Sequence, residues 1–209
     1  MNILITGCNG QLGNEMQLLA KVNPQHKYFL TDVVIPEGLD ATVLDITNQQ
    51  AVEDFVTDNN IDCIVNCAAF TAVDKAESSE EFCNLLNNIA PGYLAQAVGK
   101  RGGSMIQVST DYVFDGTNHT PYKEDQPTCP NSVYGVTKLA GEKAVMAGCA
   151  NSMIIRTAWL YSIYGNNFVK TMIRLGKEKP ELGVIFDQVG TPTYARDLAV
   201  VIMTAINKG

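Results

Sequence analysis

The sequence predicts an α/β fold, a doubly wound parallel sheet with helices on both faces, and three observations carry that reading. Short apolar, β-branched runs alternate with longer amphipathic stretches, the signature of βαβ units. The first run is too apolar for a strand with one wet face, as expected when both faces of a sheet are covered. That run leads directly into a glycine-rich turn and then a helical pattern.

In chain order, the candidate strands are Asn2–Thr6, Tyr28–Thr31, Cys63–Asn66, Met105–Ser109, Met153–Arg156 and Val184–Phe186. Helical patterns fall between them at Gln11–Val22, Gln49–Asn59, Ser79–Val98, Val133–Ala147 and Phe168–Lys177, and a last helix starts near Tyr194. No repeat, low-complexity segment or linker interrupts the series, so one domain over 1–209 is the simplest count. The stretch from Asp115 to Asn131 differs. It holds Gly116, Pro121, Pro127 and Pro130 with few apolar residues, and reads as a long loop of the kind that tends to be functional.

Composition removes several classes of function. The net charge is −7 and no basic cluster occurs, which argues against nucleic acid or an anionic membrane surface as partner. No run of about 18 apolar residues exists to span a membrane. Residues 1–7 lack a basic leader region, and Gly7, Asn9 and Gly10 interrupt the apolar run, so a signal peptide is not expected and the chain reads as cytoplasmic. The six cysteines form no CxxC pair, and His26 and His119 lie far from any cysteine cluster. Free buried thiols are therefore expected, with neither disulfide framework nor metal site.

The strand Asn2–Thr6 runs into Gly7-Cys8-Asn9-Gly10-Gln11-Leu12-Gly13 and then a helix. Glycines there allow a tight turn, a close backbone approach to a pyrophosphate, and packing of helix on strand. The helix N-terminus offers N–H groups and the positive end of its dipole. The spacing is GxxGxxG rather than GxGxxG; its position at a strand-to-helix junction gives it weight. Asp32 follows the second strand, nineteen residues beyond Gly13. A carboxylate there can accept both ribose hydroxyls of NAD and repel a 2′-phosphate, or it is an ordinary strand-end turn residue. Asp45 could reach the adenine or serve as a helix cap.

Tyr134 and Lys138 stand four apart on a predicted helix, on one face. An ammonium beside a phenol favours the phenolate and lowers its pKa, bringing a tyrosine nearer to proton exchange at neutrality. Of the eight tyrosines, Tyr134 alone has a lysine four residues later. Ser109-Thr110-Asp111-Tyr112 directly follows the fourth strand, where a hydroxyl can hydrogen-bond a substrate carbonyl. Thr110 is preferred to Ser109, although the sequence alone does not separate them.

With glycine loop, hydroxyl and Tyr/Lys pair in this order, the chain resembles the extended short-chain dehydrogenase/reductases, and within them the dTDP-4-dehydrorhamnose reductase family. The similarity rests on Asn66–Glu77 (NCAAFTAVDKAE), Ser109–Gly116 (STDYVFDG), Val133–Lys143 (VYGVTKLAGEK), Arg156–Tyr161 (RTAWLY), Gly165–Phe168 (GNNF) and Asp187–Pro192 (DQVGTP). It implies a Rossmann-type NAD(P)-binding domain over 1–209, with Gly7, Gly10, Gln11, Leu12 and Gly13 around the pyrophosphate. Asp32 would meet the adenosine ribose, Asp45 and Ile46 the adenine, and Ala69, Phe70 and Thr71 the nicotinamide side. Thr110, Tyr134 and Lys138 would be catalytic, Tyr134 as proton donor, with Lys138 also on the nicotinamide ribose.

Asp111 and Trp159 would contact the deoxysugar, although Trp159, the one tryptophan, could otherwise be plain core. The implied reaction is NADPH- or NADH-dependent reduction of the C4 keto group of dTDP-4-dehydro-6-deoxy-L-mannose to dTDP-L-rhamnose, for cell-surface polysaccharide. Related dehydratases carry an Asp-Glu pair where this chain has Asp111-Tyr112, which speaks against dehydration. The family usually uses NADPH, whereas Asp32 without a nearby arginine suits NADH. The resemblance further implies a C-terminal segment beyond Gly209 that completes the sugar-nucleotide pocket and commonly a homodimer contact. The chain therefore reads as truncated, with its cofactor site complete and its sugar site open on one side. A similar chain also serves as a non-catalytic, dinucleotide-binding regulatory subunit, that of methionine adenosyltransferase; a reductase of another keto sugar is a further alternative.

Overall fold

The computed structural model describes residues 1–208. In chain order it runs β1 (Asn2–Thr6), α1 (Gln11–Val22), β2 (Lys27–Asp32), β3 (Thr42–Val43), α2 (Gln49–Asp58), β4 (Cys63–Asn66), α3 (Val73–Ala76), α4 (Glu80–Asn84), a π-helical turn (Leu85–Ile89) and α5 (Ala90–Gly99). There follow β5 (Ser104–Thr110), a short 3-10 turn (Asp111–Val113), α6 (Val133–Gly148), β6 (Asn151–Thr157), β7 (Leu160–Tyr161), α7 (Phe168–Glu178), β8 (Thr193–Tyr194) and α8 (Ala195–Lys208). Six strands form one sheet in the order β3-β2-β1-β4-β5-β6, every pair parallel. The order reverses direction between β1 and β4, and that switch opens a crevice at the strands' carboxyl ends. The doubly wound α/β class read from the sequence is the fold observed.

Both faces are covered because successive residues of each buried strand point to opposite sides. Leu4, Ile64 and Met105 face a layer built by Val52 and Val56 of α2, Leu94 and Val98 of α5, and Val145 of α6. Ile3, Ile5, Val65 and Ile106 face Leu12, Met16 and Leu19 of α1 and Leu198, Ile202 and Met203 of α8. These are two apolar layers, one on each face of the sheet, so its middle strands have no wet side.

Three sequence expectations need correction. Val184–Phe186 forms no strand: Phe186 is 99% exposed and Ile185 68%. Its residues have the right types, yet a strand exists only where a neighbouring edge takes up its backbone hydrogen bonds, and here none does. The sixth strand is instead Thr42–Val43, pairing with the end of β2, too short to show a period. The helix expected over Ser79–Val98 runs without a gap from Glu80 to Gly99 but widens into a π turn at Leu85–Ile89. Pro91 explains the π turn: it has no N–H to donate to the carbonyl of Asn87 and its ring crowds that oxygen. Last, the thiols are not all buried. Cys129 is exposed on the long loop and Cys67 half-buried, while Cys8, Cys63, Cys83 and Cys149 are buried.

Candidate active site

The crevice begins at the turn from β1 to α1. Gly7 has φ +63, a region glycine enters freely, and a Cβ on it would stand 2.6 Å from the backbone nitrogen of Ala68. A Cβ on Gly13 would stand 2.2 Å from the Gly7 carbonyl oxygen, so the first turn of α1 lies directly on the loop. Gly10 precedes α1, which starts with neither a side-chain cap nor an acidic residue in its first turn. The N–H groups of that turn have no intrahelical acceptor, and the dipole favours an anion there. Glycine at 7 and 13 thus lets the loop pack against the end of β4 and the start of α1, leaving free N–H groups that could hold a phosphate. The side chain of Leu12 belongs to the core, which leaves its backbone for a ligand. Gln11 turns away and accepts a hydrogen bond from Asn167 at 2.9 Å.

Polar side chains continue across the strand ends. Thr6 donates to Asn66 at 2.6 Å, and Asn66 donates to Gln107 at 2.8 Å, joining β1, β4 and β5 inside an otherwise apolar sheet. Asp32, at the end of β2, accepts from the backbone N–H of Asn9 at 3.0 Å and of Val33 at 2.8 Å. Its carboxylate is thereby fixed beside the glycine loop. Asp45 is exposed and its Oδ1 is occupied by both the N–H and the hydroxyl of Thr47, while Ile46 is 3% exposed and part of the core.

Ala69, Phe70 and Thr71 follow β4 on the other side of the switch. Asn87, in the π turn, grips Phe70 by accepting from its N–H at 2.9 Å and donating to its carbonyl at 3.1 Å. The Asn87 carbonyl lies where a Cβ on Gly141 of α6 would be 2.0 Å away. Asn87 therefore ties the segment after β4 to the helix carrying Tyr134. Sequence reasoning missed it; the available signal was Pro91, which frees the Asn87 carbonyl.

Helix α6 starts beside the end of β5. Ser132 caps it by accepting from Gly135 at 3.1 Å, and Glu77 accepts from the Val133 N–H at 2.9 Å. A Cβ on Gly135 would meet the Tyr112 carbonyl at 2.2 Å, so helix and 3-10 turn touch and bring Tyr134 against Tyr112, ring centroids 5.5 Å apart. Burial pushes the Tyr134 phenol up to about 12, with Asp111, Tyr112 and Cys83 adding to the rise and Thr110 opposing it. The lowering by Lys138 anticipated from the sequence is absent, because the Lys138 ammonium donates to the Val108 carbonyl at 2.7 Å. Burial brings Lys138 down to about 8, against the opposing influence of Glu142 and Cys83. Ser109 is engaged elsewhere, donating to Glu142 at 2.5 Å. The Thr110 hydroxyl donates to Asp111 at 3.0 Å and accepts from the Tyr112 N–H at 3.2 Å. Burial raises the Asp111 carboxyl above the usual carboxylate range.

Trp159 is not core. It is 43% exposed with φ +49, a strained conformation for a bulky residue and one that concentrates at functional sites. Its indole lies 3.3 Å from the position of a Cβ on Gly190. Among the described residues no His/Cys/Asp/Glu group is arranged to hold a metal ion, and no helix is long and apolar enough to cross a membrane.

Comparison with known proteins agrees with this geometry. The family model for the RmlD substrate binding domain matches residues 1–209. A dTDP-4-dehydrorhamnose reductase of Shigella flexneri is 46% identical over 95% of this chain, and the chain spans 64% of that protein's length. The crystal structure of a dTDP-4-dehydrorhamnose reductase from Clostridium acetobutylicum superposes with a TM-score of 0.91 at 47% identity, over 100% of this chain and 71% of that one. The Bacillus anthracis dTDP-4-dehydrorhamnose reductase, solved in complex with NADP, gives 0.90 at 40% identity, over 99% of this chain and 70% of that one. The chain belongs to the RmlD substrate binding domain family, that of the dTDP-4-dehydrorhamnose reductases.

Proposed function

We propose that this chain carries the cofactor site and the catalytic groups for reducing the C4 keto group of dTDP-4-dehydro-6-deoxy-L-mannose, giving dTDP-L-rhamnose. The observation that carries this reading is the juxtaposition of the open glycine cradle with Thr110, Tyr134 and Lys138 along one crevice. The cradle fits a dinucleotide. Residues Gly7 to Gly13 would hold the pyrophosphate, Asp32 the adenosine ribose, Asp45 and Ile46 the adenine side, and Ala69 to Thr71 the nicotinamide side. When bound, the reduced nicotinamide supplies the hydride.

The chain's own groups do the rest. Tyr134 keeps its proton well past neutrality, so it arrives at the carbonyl as a donor rather than a phenolate. Thr110 donates to the same oxygen once it exchanges Asp111 for substrate. Lys138, charged below about pH 8, orients the nicotinamide ribose. Trp159 and Asp111 would bound the sugar.

Asp32 makes NADH the favoured cofactor. Residues 33–47 contain Glu37, Asp40 and Asp45 and no lysine or arginine, so a 2′-phosphate would meet carboxylates without a cation to offset them. The test is turnover of the keto sugar, followed by loss of reduced-nicotinamide absorbance and identification of dTDP-L-rhamnose. Tyr134→Phe is expected to abolish turnover and leave NADH affinity unchanged; equal turnover by that variant would remove Tyr134 as donor. Tight NADH binding without any turnover would favour a regulatory, non-catalytic role.

A further inference from the structure

Beyond Tyr134 and Lys138, helix α6 presents a third polar residue at the same spacing, Glu142. It is 2% exposed, and a buried carboxylate is costly unless fully engaged. Here it is engaged on both oxygens. Arg156 of β6 binds it with a two-pronged contact, Nε to Oε1 at 2.9 Å and Nη2 to Oε2 at 2.7 Å, and Ser109 of β5 donates to Oε1. Arg156 continues outward. Its Nη1 donates to the Glu124 carbonyl of the long loop at 3.3 Å, and its guanidinium sits 5.1 Å over the Phe114 ring. Phe114 in turn stacks on Tyr122 at 4.3 Å.

We infer that Glu142, braced by Arg156 and Ser109, is a positioning residue for the reduction: it locks the Tyr134/Lys138 helix to the strand end bearing Thr110 and to the long loop. Ser109 and Thr110 are adjacent, so a carboxylate fixed to Ser109 sets where the Thr110 hydroxyl stands relative to α6. Lys138 lies one helical turn before Glu142 with its Nζ on the Val108 carbonyl, and the two form no ion pair within 4.0 Å. Glu142 therefore acts on Lys138 through its field in a site from which water is excluded, where charges are weakly screened. The groups facing Lys138 are Glu142 on α6, Cys83 on α4 and the Val108 carbonyl of β5, with Arg156 of β6 behind Glu142. Glu142 is the largest influence opposing the burial that drives Lys138 toward neutrality. Its interaction with Arg156 is stabilising enough to raise the guanidinium above its ordinary value.

The inference rests on the proposed reduction for its consequence, but its test does not need turnover. Isotope-labelled lysine reports the Lys138 midpoint by NMR titration of the folded protein, with Lys138→Arg identifying the signal. Glu142→Gln keeps shape and removes charge, and should lower the midpoint by about one pH unit. Arg156→Gln leaves the Glu142 charge uncompensated and should raise it, so the two variants move the same signal in opposite directions. Should one variant fail to fold, the other still decides. An unmoved midpoint in a folded variant would overturn the role. Where turnover is measured, kcat of Glu142→Gln should fall near pH 8 and recover at lower pH, with KM for NADH little changed. A drop that is uniform across pH would mean only structural damage. Absence of turnover in the unsubstituted protein would count against the proposed reduction and leave the lysine titration to judge the brace.

Discussion

Burial acts on Tyr134 and Lys138 in opposite directions, and both effects suit a proton donor beside a fixed cation. The phenol is raised to about 12 and the ammonium lowered to about 8. For a cation with a lowered pKa, charge is complete well below that value and is lost as pH rises through it. Activity should therefore fall above about pH 8 through Lys138, while Tyr134 stays protonated across the whole range; a kcat–pH profile checks this, and a limb near pH 10 would contradict it. Asp32 makes a second prediction. NADH should bind at least about tenfold more tightly than NADPH, and Asp32→Ala should shrink that ratio, measured by competition binding. Gly13→Ala adds a methyl where only 2.2 Å separates its Cβ from the Gly7 carbonyl. It should cost about 1–3 kcal/mol by thermal or denaturant unfolding and weaken dinucleotide binding.

Elements were legible in the sequence where their periodicity was long and their punctuation local. α1 is preceded by Gly10 and α6 by Ser132, and both helices were found at their first residue. β1 and β4 were found whole, because apolar runs covered on both faces stand out. What stayed hidden depends on distant partners. β3 exists because β2 extends to meet it, and Val184–Phe186 stays irregular because no edge reaches it. Of the candidate site, Tyr134, Lys138 and the glycines could be named from local motifs, whereas Ser109 and Thr110 are told apart only by the bond of Ser109 to Glu142. Asn87, Glu142 and Arg156 could not, since their meaning lies in contacts to residues 17, 33 and 14 positions away. The π turn should matter for the same reason. Gly141→Ala would press on the Asn87 carbonyl and push α6 off the segment after β4. It should destabilise the fold by about 1–3 kcal/mol and lower kcat more than it weakens nucleotide binding.

For the molecule as a whole, the sheet brings one crevice together from segments far apart in sequence. In the proposed function the phosphate cradle would come from residues 7–13, the nicotinamide side from 69–71, the hydroxyl from 110 and the proton donor from 134. Side-chain contacts between α1 and the segment before α7, through Gln11 and Asn167 and through Glu15 and Ser162 at 2.9 Å, join the cradle to the loop near Trp159. The central claim is that this crevice seats one reduced dinucleotide with its reactive end at Tyr134. Calorimetric titration of the folded protein with NADH tests it most directly. The account predicts saturable binding of one NADH per chain, unchanged in Tyr134→Phe and weakened in Gly13→Ala. No binding to demonstrably folded protein, or binding indifferent to Gly13→Ala, would contradict it.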